Sequence, residues 1–325
     1  MKINQAVAFM LGAAVVVTGC QKQNEKTEPT APAAKSYKIG ISIPSADHGW
    51  TGGVVYHANA VKKEIEAANP DTQVIVSTAA SSGEQVDRVE NLLVQGINAL
   101  VILPSEPAPL SGICEKAVKQ GVKLIVVDRN LANPVQDLLV AGDNPGFGRV
   151  AADVIVNELD GKGDIVIMEG IPCDVNTQRV NAFKEVIARY PEIKILESGA
   201  AEWNTEKGLK LMENFLQKHP KIDAVWTGDD DVSIGALKAY TESKRSDVKV
   251  LVGGGGSKEI IKKIIDGDKV VRLTVTYPPA MVATAAREAV KIVHGTPIEQ
   301  KTLIVPAEVI SAANAQKYYL PDSAY

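Results

Sequence analysis

The chain has 325 residues, 45% hydrophobic and 23% charged, enough for two domains with real cores, so global disorder is excluded. Thirty-five Lys and Arg stand against 39 Asp and Glu, a formal charge of −4; binding to bulk DNA or RNA needs a basic excess and is excluded too. Three cysteines, with no C-x-x-C pair, rule out a disulfide framework and a paired thiolate metal site.

Lys2 and the apolar run from Ala6 to Val17 read as the charged and hydrophobic parts of a secretion signal. A dozen residues are too few for a permanent bilayer span. The run ends in Val17-Thr18-Gly19-Cys20, which resembles the lipobox of bacterial lipoproteins, with Cys20 as the lipidated first mature residue. Residues 1–19 are expected to be removed. Residues 20–36 are polar and Pro/Ala-rich, a flexible tether behind the lipidated Cys.

From Tyr37 onward, short β-branched runs alternate with segments of helical period. Strands are expected at Tyr37–Pro44, Gln73–Thr78, Ala99–Pro104, Lys123–Asp128 and Leu138–Gly142, then at Asp164–Glu169, Lys194–Gly199, Ala224–Gly228 and Lys249–Gly253. Helices are expected near Thr177–Tyr190, Thr205–Lys218, Val232–Ser243 and Ser257–Asp266. Strand starts spaced like βαβ units predict two successive doubly wound α/β lobes with parallel sheets. In such sheets ligands bind beyond the carboxyl ends of the strands.

Those ends carry an unusual set: Asp47, His48 and Trp50; Asp128 and Arg129; Thr177 and Arg179; Trp203; Asp229-Asp230-Asp231; the run Gly253 to Gly256; and Thr276. Carboxylates and guanidiniums make charge-assisted hydrogen bonds with hydroxyls, while an aromatic ring covers the C–H face of a sugar. The combination suits a monosaccharide or polyol. The acids Asp128 and Asp229, with Asp47 as a further candidate, roughly offset Arg129 and Arg179, which favours a neutral ligand over a sugar phosphate. Three adjacent aspartates diverge too far to share one metal ion, so one is expected to face ligand, one to cap a helix and one to be solvated. His48 has a first-loop polar contact or plain solvent exposure as rival readings to metal ligation. Trp226 reads as core, and Cys114 and Cys173 as unpaired thiols in different lobes. No phosphate loop, nucleophile elbow or spaced His triad is present.

Val126-Val127-Asp128-Arg129, Gly142-Asp143-Asn144 with Gly148, the stretch Trp203 to Leu216, and Asp230 with Gly235-Ala236-Leu237 together resemble the sugar-binding proteins of ABC transporters, in the ribose- and galactofuranose-binding branch. The resemblance spans essentially all of 37–325. It implies the type I periplasmic binding protein fold, two lobes joined by a three-strand hinge: 37–142 plus 277–304, and 143–276 plus 305–325. Crossings are implied near Gly142-Asp143, Thr276-Tyr277 and Ile304. It gives Asp128 and Arg129 contacts to sugar hydroxyls, Trp50 and Trp203 the flanking of the ring, and Asp229 a polar contact. The second-lobe arginine is Arg179 or, in a shifted register, Thr177. The family's aromatic and acid are missing at Gly254 and Gly255, so the pocket is expected to be wider there or to be compensated by Asp229 or Thr276. The implied role is capture of a sugar or polyol for a permease and its ATPase by a monomer without enzymatic activity or cofactor, in the periplasm and anchored by lipid. The alternative is a sugar sensor feeding a chemoreceptor or sensor kinase.

Overall fold

The structure, a computed structural model, describes residues 35–46 and 49–325. Cys20, the signal, most of the tether, and Asp47 with His48 lie outside the described residues.

The first lobe is built on a six-stranded sheet. Its chain-order elements are β1 (Tyr37–Pro44), α1 (Gly49–Ala68), β2 (Thr72–Ala79), α2 (Ser82–Val94), β3 (Ala99–Ile102), α3 (Pro107–Lys119), β4 (Lys123–Val127) and β5 (Leu138–Gly142). The second lobe follows with α4 (Asn144–Glu158), β6 (Gly163–Glu169), α5 (Asp174–Ile187), β7 (Ile193–Ala200), α6 (Thr205–Lys218), β8 (Ala224–Thr227), α7 (Asp230–Ser243), β9 (Val250–Gly255), α8 (Lys258–Ile265) and β10 (Leu273–Thr276). The chain then returns through α9 (Met281–Val293) and β11 (Thr302–Val305) before ending in β12 (Val309–Ser311) and α10 (Ala315–Tyr318).

The first sheet has the order β11-β5-β4-β3-β1-β2 and the second β12-β10-β9-β8-β6-β7. Every pairing is parallel except that of β12, which runs antiparallel to β10. Helices on both faces make the inner strands apolar throughout: Leu100, Val101, Leu124, Ile125, Val225 and Leu251 have no exposed surface. Trp226 lies inside β8 and stacks on Phe183 of α5, with ring centroids 4.0 Å apart.

Local chemistry sets the ends of the helices. The Ser81 hydroxyl accepts from the Glu84 amide while the Glu84 carboxylate accepts from Ala80 N, an exchange close to a capping box that starts α2. Asn204 starts α6 by accepting from Lys207 N, and Ser257 starts α8 by accepting from Ile260 N. Helix α5 begins three residues before the periodicity predicts, at Asp174, where an acid in the first turn meets the positive end of the helix dipole.

The chain passes between the sheets after β5, after β10 and after β11. The third passage lies at 306–308, just beyond Ile304, because β11 keeps its pairing with β5 through Val305. The three passages are hydrogen-bonded to one another. Asp143 N donates to Val305 O, Thr276 N donates to Glu308 O, and Glu308 N donates to the Thr276 hydroxyl.

Candidate functional site

The strand ends of the two sheets converge on a cavity of ≈ 40 Å3, lined by Trp50, Asp128, Arg129, Val175, Arg179, Trp203, Asp229, Gly254, Gly255, Tyr277 and Tyr325. One water needs about 10–15 Å3 on this measure, so the enclosed space has room for about three or four waters and excludes a chain of sugar rings.

From the first lobe, Trp50 stands in the first turn of α1 rather than in a loop, is buried, and donates its indole N–H to Tyr277 O at 2.9 Å. Asp128 follows β4 in the left-handed region, at φ 61°, which turns its side chain inward from the strand. One of its oxygens accepts from the Tyr277 hydroxyl, and the other lies 3.8 Å from Arg129 Nε. Arg129 is steadied by donating to Ser105 O at 3.0 Å.

The second lobe presents Arg179 from α5, whose early start decides the register. Arg179 is 5% exposed, whereas Thr177 is exposed and away from the cavity. The guanidinium donates to Asn144 Oδ1 and to Gly228 O, both at 2.9 Å, and lies over the rings of Tyr277 and Phe147, 4.1 and 4.3 Å from their centroids. Trp203 follows Glu202, both left-handed, and this double turn swings the indole into the cavity wall. A Cβ on Gly170 would come 2.1 Å from the indole nitrogen, so only glycine leaves room for that ring. The Trp203 indole N–H is buried without a protein partner.

The three aspartates diverge, with roles different from those expected. Asp229 both lines the cavity and caps α7, accepting from Val232 N at 2.9 Å. Asp230 is wholly buried, where it receives Thr274 Oγ1 at 2.7 Å, Ser257 N at 2.7 Å and Gly256 N at 3.0 Å. Asp231 is not simply solvated: it accepts from Gly49 N of the opposite lobe at 3.1 Å. Burial holds the Asp229 carboxyl well above the ordinary range, and the charges of Asp231 and Asp230 add to this. The Asp230 carboxyl is pushed up to about 6 by burial, against the lowering effect of its three donors.

Of the residues expected at the site, Trp50, Asp128, Arg129, Arg179, Trp203, Asp229 and Gly255 meet at the cavity. Thr177 does not, and Thr276 is turned to the passage at Glu308, where its hydroxyl is occupied. Asp47 and His48 lie outside the described residues. The glycine run is not a loop, since Gly253–Gly255 pair with Thr274–Thr276 as strand. Nor does it widen the pocket by Gly254 and Gly255, because the rings of Phe147 and Tyr325 occupy that space. Tyr277 could have been found by the strand-end rule, since it directly follows β10. Tyr325 and Val175 carried no local signal. Cys114 is buried and Cys173 exposed, both unpaired.

The family described as "periplasmic binding protein domain" matches residues 39–297. The ribose import binding protein of Bacillus subtilis is 30% identical over 277 residues, which is 85% of this chain and 87% of that protein. The D-apiose import binding protein of Paraburkholderia graminis is 28% identical across 89% of this chain and 91% of its own. Among solved structures, a periplasmic solute binding protein of an ABC transporter from Actinobacillus succinogenes, with bound D-allose, superposes with a TM-score of 0.77 at 25% identity, covering 87% of this chain and all of that one (100%).

Proposed function

The chain belongs to the periplasmic binding protein family, and from that membership we propose that it is the solute-binding component of an ABC transporter, capturing a monosaccharide or related polyol between its lobes and presenting it to the permease. The similarity to import proteins named for ribose and D-apiose supports this reading. The observation that carries the ligand class is the cavity itself. Two indoles form its walls, and the acids Asp128 and Asp229 with the guanidiniums of Arg129 and Arg179 make a hydrogen-bonding set suited to hydroxyls, without the larger group of cations a phosphate would want.

Capture follows from the division of the site. Trp50, Asp128 and Arg129 come from one lobe, and Arg179, Trp203 and Asp229 from the other. Neither half satisfies a ligand alone, so a ligand adds contacts only to the closed form and shifts the equilibrium towards it. We take the moving bodies to be 37–142 plus 277–304 and 143–276 plus 305–325. A single chain supplies both walls, so the monomer is the working unit, and no covalent step is needed.

The test is a thermal-shift screen of neutral aldopentoses, hexoses and polyols beside a sugar phosphate, followed by calorimetry and recovery of the ligand. A ligand at a hundred times its dissociation constant raises stability by about 2.7 kcal/mol. Failure of every neutral sugar and polyol, or recovery of an altered ligand, would overturn the reading.

The working compartment is the periplasm, and we infer from Val17-Thr18-Gly19-Cys20 that a lipid on Cys20 ties the protein to a membrane through the tether. Cys20→Ser should then release the protein from membranes or leave the precursor unprocessed. Unchanged membrane partition would count against the anchor.

A further inference from the structure

The side of the cavity formed by β9 has no side chain of its own, since Gly254 and Gly255 provide only backbone there. A Cβ on Gly255 would stand 1.9 Å from the Tyr325 hydroxyl oxygen, and one on Gly254 would stand 1.8 Å from the Phe147 ring. Gly255 also sits at φ 123°, a conformation open to glycine. The two glycines therefore make a bay, and rings from distant parts of the sequence fill it.

Tyr325 is held there by both lobes. Lys258 of α8 donates to Pro321 O at 3.2 Å and to Ser323 O at 2.5 Å, and Tyr325 N donates to the Ser323 hydroxyl at 3.1 Å. On the other side the ring lies against α1, where a Cβ on Gly49 would meet it at 2.8 Å and one on Gly53 would meet the Tyr325 Cβ at 3.0 Å. The side chain is 7% exposed and lines the cavity. Its hydroxyl reaches one protein partner, Gly254 O, at 3.5 Å, the outer limit of a hydrogen bond. A buried phenol with so weak a bond retains donor and acceptor capacity for something in the cavity. Burial and the charges of Asp230, Asp229 and Asp231 push its ionisation upward, so the group stays a neutral donor.

Resting on the sugar-binding reading, we propose that Tyr325 is a specificity-determining ligand contact: its ring closes the β9 side of the cavity, and its hydroxyl donates to an oxygen of the ligand. A neutral phenol in this place pairs with a ligand hydroxyl, and its fixed position decides which one. The ring also limits the bulk that the ligand can carry on that side.

The experiment takes the sugars and polyols that bind the wild-type chain, with pairs of epimers differing at one hydroxyl, and repeats the calorimetry on Tyr325→Phe and Tyr325→Ala. Tyr325→Phe keeps the ring and the packing, so unliganded melting should be unchanged. Its affinity for the preferred ligand should fall about fivefold to tenfold through loss of one hydrogen bond, and the preference between epimers at one position should collapse. Tyr325→Ala should weaken binding further while improving larger ligands relative to smaller ones. A wild-type chain that binds nothing in the panel overturns the sugar-binding reading and this contact with it. Normal wild-type binding with Tyr325→Phe within twofold on every ligand, epimer ratios intact, overturns the contact alone.

Discussion

The Tyr277 hydroxyl donates to Oδ1 of Asp128. The bond joins the chain where it leaves the second lobe to the acid at the end of β4 in the first. Burial and the Asp128 charge push the tyrosine's ionisation upward, so it remains a donor throughout the working pH range. Asp128 thus has two duties, one towards the passage between lobes and one towards the cavity.

Those duties separate by substitution. Asp128→Asn keeps an acceptor for Tyr277 and tolerates the left-handed backbone, so unliganded stability should change little. On the proposed ligand contact, affinity should fall by at least about 2 kcal/mol, roughly thirtyfold, because the charge that lines the cavity and faces Arg129 is gone. Asp128→Ala should lower affinity similarly and also cost about 1–3 kcal/mol of stability, since the buried Tyr277 hydroxyl loses its acceptor. Calorimetry beside urea unfolding of both variants checks the pair.

Trp203→Ala removes a ring that lines the cavity and leaves the left-handed backbone position with its Cβ. Ligand affinity should drop by about 1–3 kcal/mol through lost burial and stacking, with only a small change in unfolding midpoint. A collapse in melting temperature with normal affinity would make Trp203 a core residue instead.

Arg179→Ala should damage both properties. It leaves Gly228 O and Asn144 without their donor and removes the cation lying over Tyr277 and Phe147. Two buried acceptors left without their donor predict about 1–3 kcal/mol less stability, together with greatly weakened binding. Unfolding and calorimetry on one preparation measure the two losses.

Asp230 gives the unliganded protein a pH dependence. Its folded carboxyl titrates at about 6, above the ordinary value near 3.8 that it regains on unfolding. Between these values the folded chain holds a proton that the unfolded chain has released, so stability falls as pH rises through about 4 to 6. Asp229, also raised, extends the fall upward. Carboxylates shifted the other way, such as Glu64 beside Arg287, lose their contribution only below the ordinary carboxylate range. Urea midpoints should therefore be higher near pH 5 than near pH 7, and Asp230→Asn should flatten the difference.

The two-lobed fold was legible because parallel strands buried on both faces write themselves as β-branched runs, and because each strand end is followed by residues that suit no core. Asp128 with Arg129, Trp203 and Asp229 were found in this way. Gly148 was a marker without a reason until packing supplied one: a Cβ there would fall 2.1 Å from the Arg179 carbonyl, where α4 crosses α5. The choice between Thr177 and Arg179 turned on one helical turn, since a helix starting at Asp174 buries the second and exposes the first. Tyr325 was invisible because nothing in its local sequence tells that residues 320–325 run back between α1 and β9. The expectation that one of the three aspartates is simply solvated missed the tie from Asp231 to Gly49, because that partner lies 182 positions away.

The hydrogen bonds among Asp143, Val305, Thr276 and Glu308 make three chain passages into one small plate. Independent strands would let the halves twist, slide and tilt separately, and each freedom would blur the alignment of Asp128 with Asp229. A stapled plate ties the two halves together in one register. Under the proposed capture mechanism each closing swing would then bring the same atoms to the same places, and the molecule would behave as a gauge, accepting or refusing a ligand by whether its oxygens match a fixed spacing.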